Sequence, residues 1–161
     1  PIGKIGWPQE IGRDGERTPM QWTSGKNAGF SEAKPWLPVP ESHATHNVAS
    51  ETQDPNSVLN FYKRLLALRH TEPALLEGEY IALDEQNPNV YSYLRKDGTE
   101  AMLVVLNMAR SPQKVSLDLS AQGLGANRAR TVLTDGNSPG EISTKEISMA
   151  PLSVYIGKLV P

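Results

Sequence analysis

The sequence predicts a mainly β protein: an antiparallel β-sandwich preceded by one amphipathic helix and a long irregular segment. Three observations carry that expectation. From Gly78 onward apolar and polar residues alternate with a period of two, and turn dipeptides punctuate the alternation. Ahead of this an apolar stripe of helical period runs from about residue 54 to 71. The first 53 residues contain six prolines and six glycines and keep neither period.

Irregular stretches longer than about 15 residues are uncommon in compact domains unless they are functional loops or disordered segments. This one carries chemistry. Arg13, Asp14, Glu16, Arg17, Gln21 and Trp22 follow one another closely, and Trp7 and Trp36 flank them. Guanidinium forks, carboxylates and an amide beside flat indole faces suit a sugar, which offers hydroxyls for bidentate bonding and an apolar ring face for stacking. The other reading is structural: the charges tie down the loop as ion pairs and the indoles pack beneath it. His43 and His46 are spaced like half of a metal site, but neither a helical period nor further ligands accompany them, so no metal or other cofactor is expected.

At Asp54-Pro55 the signal changes to helix. Asp54 can cap free N–H groups, and Pro55 has no N–H to lose in the first turn. Val58, Leu59, Phe61, Tyr62, Leu65, Leu66 and Leu68 form the stripe. Arg69 and His70 suit the negative end of the helix dipole, and Pro73 blocks continuation. His70 therefore reads as a helix-end residue rather than a catalytic base.

Strands are expected at 79–83, 89–96, 101–107, 114–119, 128–134, 141–147 and 152–157. Asp97-Gly98 predicts a type I′ hairpin. Met102 to Leu106 is apolar on both pleat faces, which predicts a central strand, whereas Val115, Leu117 and Leu119 alternate with Lys114, Ser116 and Asp118. Asp135, Asn137 and Glu141 miss the spacing of a calcium loop and read as a turn.

Composition limits the function classes. With 16 basic and 18 acidic residues the net charge is −2, so no nucleic-acid footprint is present. There is no cysteine, which excludes disulfides and thiolate chemistry and fits a reducing compartment. No apolar run reaches membrane-spanning length and no signal sequence opens the chain, so a soluble, cytoplasmic protein without membrane partners is expected.

The run Gly12-Arg13-Asp14-Gly15-Glu16-Arg17-Thr18-Pro19-Met20-Gln21-Trp22, continued by Lys26-Asn27-Ala28-Gly29-Phe30 and Lys34-Pro35-Trp36-Leu37-Pro38, closely resembles the α-glucosidase and oligo-1,6-glucosidase branch of the α-amylase family of glycoside hydrolases. The resemblance implies that residues 1–53 are the loop after the eighth strand of a (β/α)8 barrel. Residues 54–72 would be the last barrel helix and 76–161 the C-terminal β-sandwich. Such a barrel needs about 250 residues, so a chain of 161 reads as the tail of a larger enzyme lacking its N-terminal barrel. Gly15 stands where many relatives have Asn, and Thr23-Ser24 where many have Asp.

The family's reaction is retaining hydrolysis of α-glucosides by paired carboxylates. These lie upstream of the eighth strand, and no stretch here matches their contexts, so no catalytic residue is assigned and the chain alone is expected to be inactive. By resemblance Arg13, Asp14, Arg17, Gln21 and Trp22 are candidates for binding or positioning an oligosaccharide substrate. Two other readings stay open: a trehalose-synthase-like isomerase, and a structural or carbohydrate-binding β-module. The sequence positions of the five tyrosines give that module no obvious stacking platform. Without a barrel, the stripe of Val58, Phe61, Tyr62, Leu65 and Leu68 is expected to self-associate together with the loop of Trp7, Trp22 and Trp36.

Overall fold

The alternation beyond Gly78 becomes eight strands in the computed structural model, which describes residues 16–160 apart from 126, 137 and 138. They are β1 (Glu79–Leu83), β2 (Val90–Asp97), β3 (Glu100–Asn107), β4 (Gln113–Val115), β5 (Arg128–Thr134), β6 (Glu141–Ser143), β7 (Ile147–Met149) and β8 (Val154–Val160). Six form one antiparallel sheet in the order β1-β2-β3-β8-β5-β6, and β4 pairs with β7 in a second. The chain divides into two units, residues 1–63 and 64–161, and the sheets belong to the second.

Strand β3 lies inside the large sheet, as its two-sided apolar pattern predicts, with Ala101 to Val105 all buried. Its residues serve two cores. Leu103 and Val105 join Leu94, Val115, Leu117, Leu119, Ile147 and Tyr155 between the sheets. Met102 and Val104 face the other way, against Ile156 and the short helix α3 (Pro73–Leu76), where Ala74 and Leu75 are buried and Leu65 and Leu68 partly so. The Tyr155 hydroxyl donates to the Ala129 carbonyl at 3.1 Å, and a Cβ at Gly157 would lie only 2.4 Å from that hydroxyl. Glycine here makes room for a ring.

Several features of the sheets differ from the sequence expectation. The hairpin loop is Gly98-Thr99, with Asp97 paired to Glu100 and positive φ at Gly98 alone, the sign pattern of type II′ rather than I′. Pairing in β4 ends at Val115, although Leu117 and Leu119 stay buried at 3% exposure; the Leu117 N–H is satisfied by the Thr144 carbonyl instead. The expected strand 141–147 is two strands separated by a turn.

In the first unit the irregular segment contains 3₁₀ turns at Lys26–Gly29 and Glu41–Ala44 and a helix α1 (Val48–Gln53). Asn47 caps α1: its Oδ1 accepts from Ser50 N–H at 3.0 Å, and Ser50 Oγ accepts from Asn47 N–H at 3.3 Å. The main helix α2 (Val58–Thr71) starts four residues later than Asp54-Pro55 predicts. Asp54 instead bonds Asn56 N–H in a local turn, and Ser57 Oγ takes the capping position, accepting from Asn60 N–H at 3.2 Å. The corner between the helices is closed by polar bonds. Ser57 Oγ donates to the Glu51 carbonyl at 2.7 Å, and the Asn60 amide is shared among the carbonyls of Glu51, Thr52 and Asp54. Glu51 Oε2 accepts from Leu59 N–H at 3.1 Å.

The α2 stripe divides. Leu65 and Leu68 pack on the sheet's second core, whereas Val58, Tyr62 and Leu66, four residues apart, are exposed. No described helix is long and apolar enough to cross a membrane.

Candidate functional site

The sugar-loop candidates fall on residues 13–22. Arg13 and Asp14 lie outside the described residues. Arg17 is exposed, Gln21 is half-buried and Trp22 is about half exposed.

The backbone under Gln21 and Trp22 is firmly held. Val48 N–H donates to the Gln21 carbonyl at 2.9 Å and Ala49 N–H to the Trp22 carbonyl at 3.0 Å. These are two of the N–H groups that a helix start leaves without intrahelical partners, and Asn47 satisfies the next, so the loop and the first turn of α1 complete each other. The Gln21 side chain accepts from the Ser42 hydroxyl at 3.1 Å.

On the other flank, Trp22 and Thr23 N–H both donate to the Ala28 carbonyl, at 2.9 and 3.0 Å. Asn27, Ala28 and Gly29 have φ of 51°, 57° and 68°, three left-handed residues in succession. For Ala28, which is fully buried, that conformation costs about 1–2 kcal/mol. The Asn27 amide bonds the carbonyls of Ser31 and Ala33, and a Cβ at Gly29 would lie 2.8 Å from Thr23 Oγ1. Strain of this kind persists where surrounding bonds over-determine the backbone, as they do here.

The product is a fixed platform for exposed apolar faces. Met20, Trp22 and Phe30 are about half exposed, and Trp36, between Pro35 and Leu37, is 86% exposed. A backbone fixed in this way lowers the entropy cost of presenting Trp22 to a sugar ring. A cleft of about 390 Å³ lies at the helix corner beside His46, Glu51, Asp54 and Val58, and none of Arg17, Gln21 or Trp22 lines it. His43 Nδ1 sits 2.8 Å from the Pro40 carbonyl and His46 Nδ1 2.8 Å from Thr45 Oγ1. Among the described residues no group of three His, Asp or Glu could hold a metal ion.

A loop carrying this motif, a helix and an antiparallel sheet thus follow one another along the chain. Residues 6–78 match the family model described as alpha amylase, catalytic domain, and residues 80–156 match maltogenic amylase, C-terminal domain. The chain belongs to the α-amylase family.

Within it, the chain is 45% identical over 109 residues to a probable alpha-glucosidase of Rhizobium meliloti (strain 1021), covering 68% of this chain and 20% of that protein. It is 39% identical over 109 residues to the oligo-1,6-glucosidase of Parageobacillus thermoglucosidasius, covering 63% and 19%. The structure superimposes on isomaltulose synthase from Klebsiella sp. LX3 with a TM-score of 0.82 at 34% identity, over 92% of this chain and 26% of that one. The chain thus spans about a fifth to a quarter of the length of these relatives.

The sequence reading missed one arrangement in the second unit. Tyr80 on β1 and Tyr91 and Tyr93 on β2 come together at the sheet edge because the hairpin register sets Ala82 opposite Tyr93. Ring centroids are 5.2 Å apart for Tyr80 and Tyr93 and 5.4 Å for Tyr91 and Tyr93. The hydroxyls of Tyr80 and Tyr91 are hydrogen-bonded at 2.8 Å. That bond, with partial burial and the charge of Glu85, pushes the Tyr80 phenol up to about 12. Writing out the register of two strands that the alternation already located would have revealed the cluster.

Proposed function

We propose that this chain is the C-terminal part of a retaining α-glucosidase that hydrolyses terminal α-glucosidic bonds of short malto- or isomalto-oligosaccharides. Residues 1–53 form the loop after the eighth barrel strand, 54–72 the last barrel helix and 76–161 the C-terminal sandwich. The observation that carries this reading is Trp22, half exposed in the family's loop motif and anchored by backbone bonds to both Ala28 and α1. Arg13, Asp14, Arg17 and Gln21 orient or support the same edge of the sugar cleft. The nucleophile and the acid/base are carboxylates outside this chain, so the chain alone does not turn over substrate.

A second reading is favoured by the likeness to isomaltulose synthase, whose identity to this chain is close to that of the glucosidases: the same segment would then serve an isomerase. A segment exchange separates the two. This chain replaces the matching part of the Parageobacillus thermoglucosidasius oligo-1,6-glucosidase, and the chimera is assayed with isomaltose and with sucrose. Hydrolysis of isomaltose is expected, with Trp22→Ala raising KM more than it lowers kcat. A folded chimera without turnover overturns the reading, and isomerised sucrose favours the second.

Self-association is the remaining part of the proposal. The exposed Val58, Tyr62 and Leu66 support contact between copies of the isolated chain, and the absence of cysteine supports a cytoplasmic setting.

A further inference from the structure

The tyrosine cluster at the edge of the large sheet adjoins a cleft of about 230 Å³. Tyr80 and Tyr91 line it together with Asp84, Glu85 and Asn87 from the connection between β1 and β2. We propose that this cleft is a binding site for one neutral hexopyranoside unit, which stacks on the exposed rings of Tyr80 and Tyr91 and bonds the carboxylate and amide rim through its hydroxyls.

Four features point to that ligand. Tyr80 and Tyr91 are 46% and 50% exposed, so among the described residues part of their ring surface is left uncovered. Both rings are braced, by their hydroxyl pair and by contact with Tyr93, and binding therefore orders little that is not already ordered. The rim is shaped as well as polar. Asp84 has a positive φ of 49°, and its Oδ2 accepts from the Asn87 amide at 2.9 Å, while Asn87 Oδ1 takes the N–H groups of Asn89 and Val90. Finally, the volume lies below the roughly 300–1,000 Å³ of drug-sized pockets, which suits a single ring.

Charge and spacing exclude the competing ligands. Asp84 and Glu85 repel an anion. An organic cation would be drawn to carboxylates and aromatic faces, but a cage needs separated walls with the cation within about 6 Å of each ring. Here Tyr80 and Tyr91 each lie against Tyr93, at centroid distances of 5.2 and 5.4 Å, and their own hydroxyls meet at 2.8 Å, so they are not the separated walls of a cage. The site lies in the second unit, away in sequence from the sugar loop, and does not depend on the catalytic reading.

The test is an amide NMR titration of the 161-residue chain with maltose, with tetramethylammonium in parallel. Saturable shifts confined to the amides of residues 79–93 are expected for maltose, with a dissociation constant in the millimolar range. Tyr91→Ala should weaken binding about tenfold or more, and Tyr80→Phe, which keeps the ring and loses the hydroxyl pair, a few-fold. Glu85→Gln, at an exposed position, serves as the variant in which folding is not in question and should weaken binding while leaving the melting temperature unchanged. The proposal is overturned by absence of saturable shifts, by shifts centred on Trp22 and Trp36, by affinity unchanged in Tyr91→Ala, or by saturation with tetramethylammonium but not maltose.

Discussion

Gly78, which joins α3 to β1, has ordinary backbone geometry but no room for a side chain. A Cβ there would lie 2.4 Å from the Ala74 carbonyl oxygen and 2.9 Å from that of Lys96, about an ångström inside ordinary contact in the first case. Both obstacles are backbone, so neither can swing aside. Gly78→Ala must push the Ala74 carbonyl away from two donors that use it, Gly78 N–H at 3.1 Å and Arg95 Nε at 3.4 Å. Overpacking costs about 1–3 kcal/mol and a weakened hydrogen bond about 1 more. The stiffer unfolded chain offsets about 0.4–1. A net loss of roughly 2–3 kcal/mol follows, a drop of about 4–12 °C in melting temperature for a chain of this size. Gly98→Ala is the control, because its Cβ meets nothing within 4 Å and only the φ of +57° opposes it, at about 1 kcal/mol. Urea and thermal denaturation followed by circular dichroism measure both. If Gly98→Ala costs as much as Gly78→Ala, or if Gly78→Ala melts within about 1 °C of the parent, steric exclusion is not what Gly78 provides.

Val104→Asp places a carboxylate in the core between β3 and α3, where Val104 is 3% exposed, and should cost about 3–5 kcal/mol; an unchanged denaturation midpoint would refute the strand assignment. Thr144 Oγ1 is buried without a hydrogen-bond partner among the described residues, so Thr144→Val should leave stability unchanged or raise it by about 1 kcal/mol in the same assay. Lys158 lies 2.9 Å from Glu100 and 3.6 Å from Glu72; the Glu100 bond, chiefly, lifts its ammonium above the ordinary lysine value. A raised pKa stabilises the fold below the unfolded value of about 10.4 and loses that contribution as pH climbs through the folded value, so the midpoint difference between parent and Lys158→Met should vanish in strong alkali. Light scattering across a dilution series should find the parent associated and Leu66→Lys dissociated; a monomeric parent throughout refutes self-association through α2.

What the sequence made legible was burial, and what it hid was pairing and long-range register. Alternation located every strand except β7, which it merged with β6, because a half-buried strand must alternate whatever its partner is. It overran β4, because Leu117 and Leu119 remain inside after the ladder ends. Helix α1 escaped notice because its six residues, Val48-Ala49-Ser50-Glu51-Thr52-Gln53, carry no stripe; the Asn47 cap was its one local signal. Asp54 lost the capping role to Ser57, since a carboxylate can be satisfied by Asn56 N–H at two residues' remove. The sugar loop was legible as a motif, but the bonds that fix Trp22 come from Ala28 and Ala49, which no spacing rule names. The tyrosines looked scattered because Tyr80 and Tyr91 are eleven residues apart along the chain and meet only through the hairpin.

The corner between α1 and α2 is held by the side chains of Ser57, Asn60 and Glu51 bonding to backbone, whereas the sheets are held by buried aliphatic surface. These two kinds of cohesion respond oppositely to chilling. Apolar burial weakens on cooling, because its driving force near room temperature is entropic, while hydrogen bonds of low heat capacity keep their strength. The sheets should therefore be the part of the chain that cold loosens first and the helix corner the part that outlasts it, with the order reversed where a denaturant competes directly for the carbonyls, as urea does.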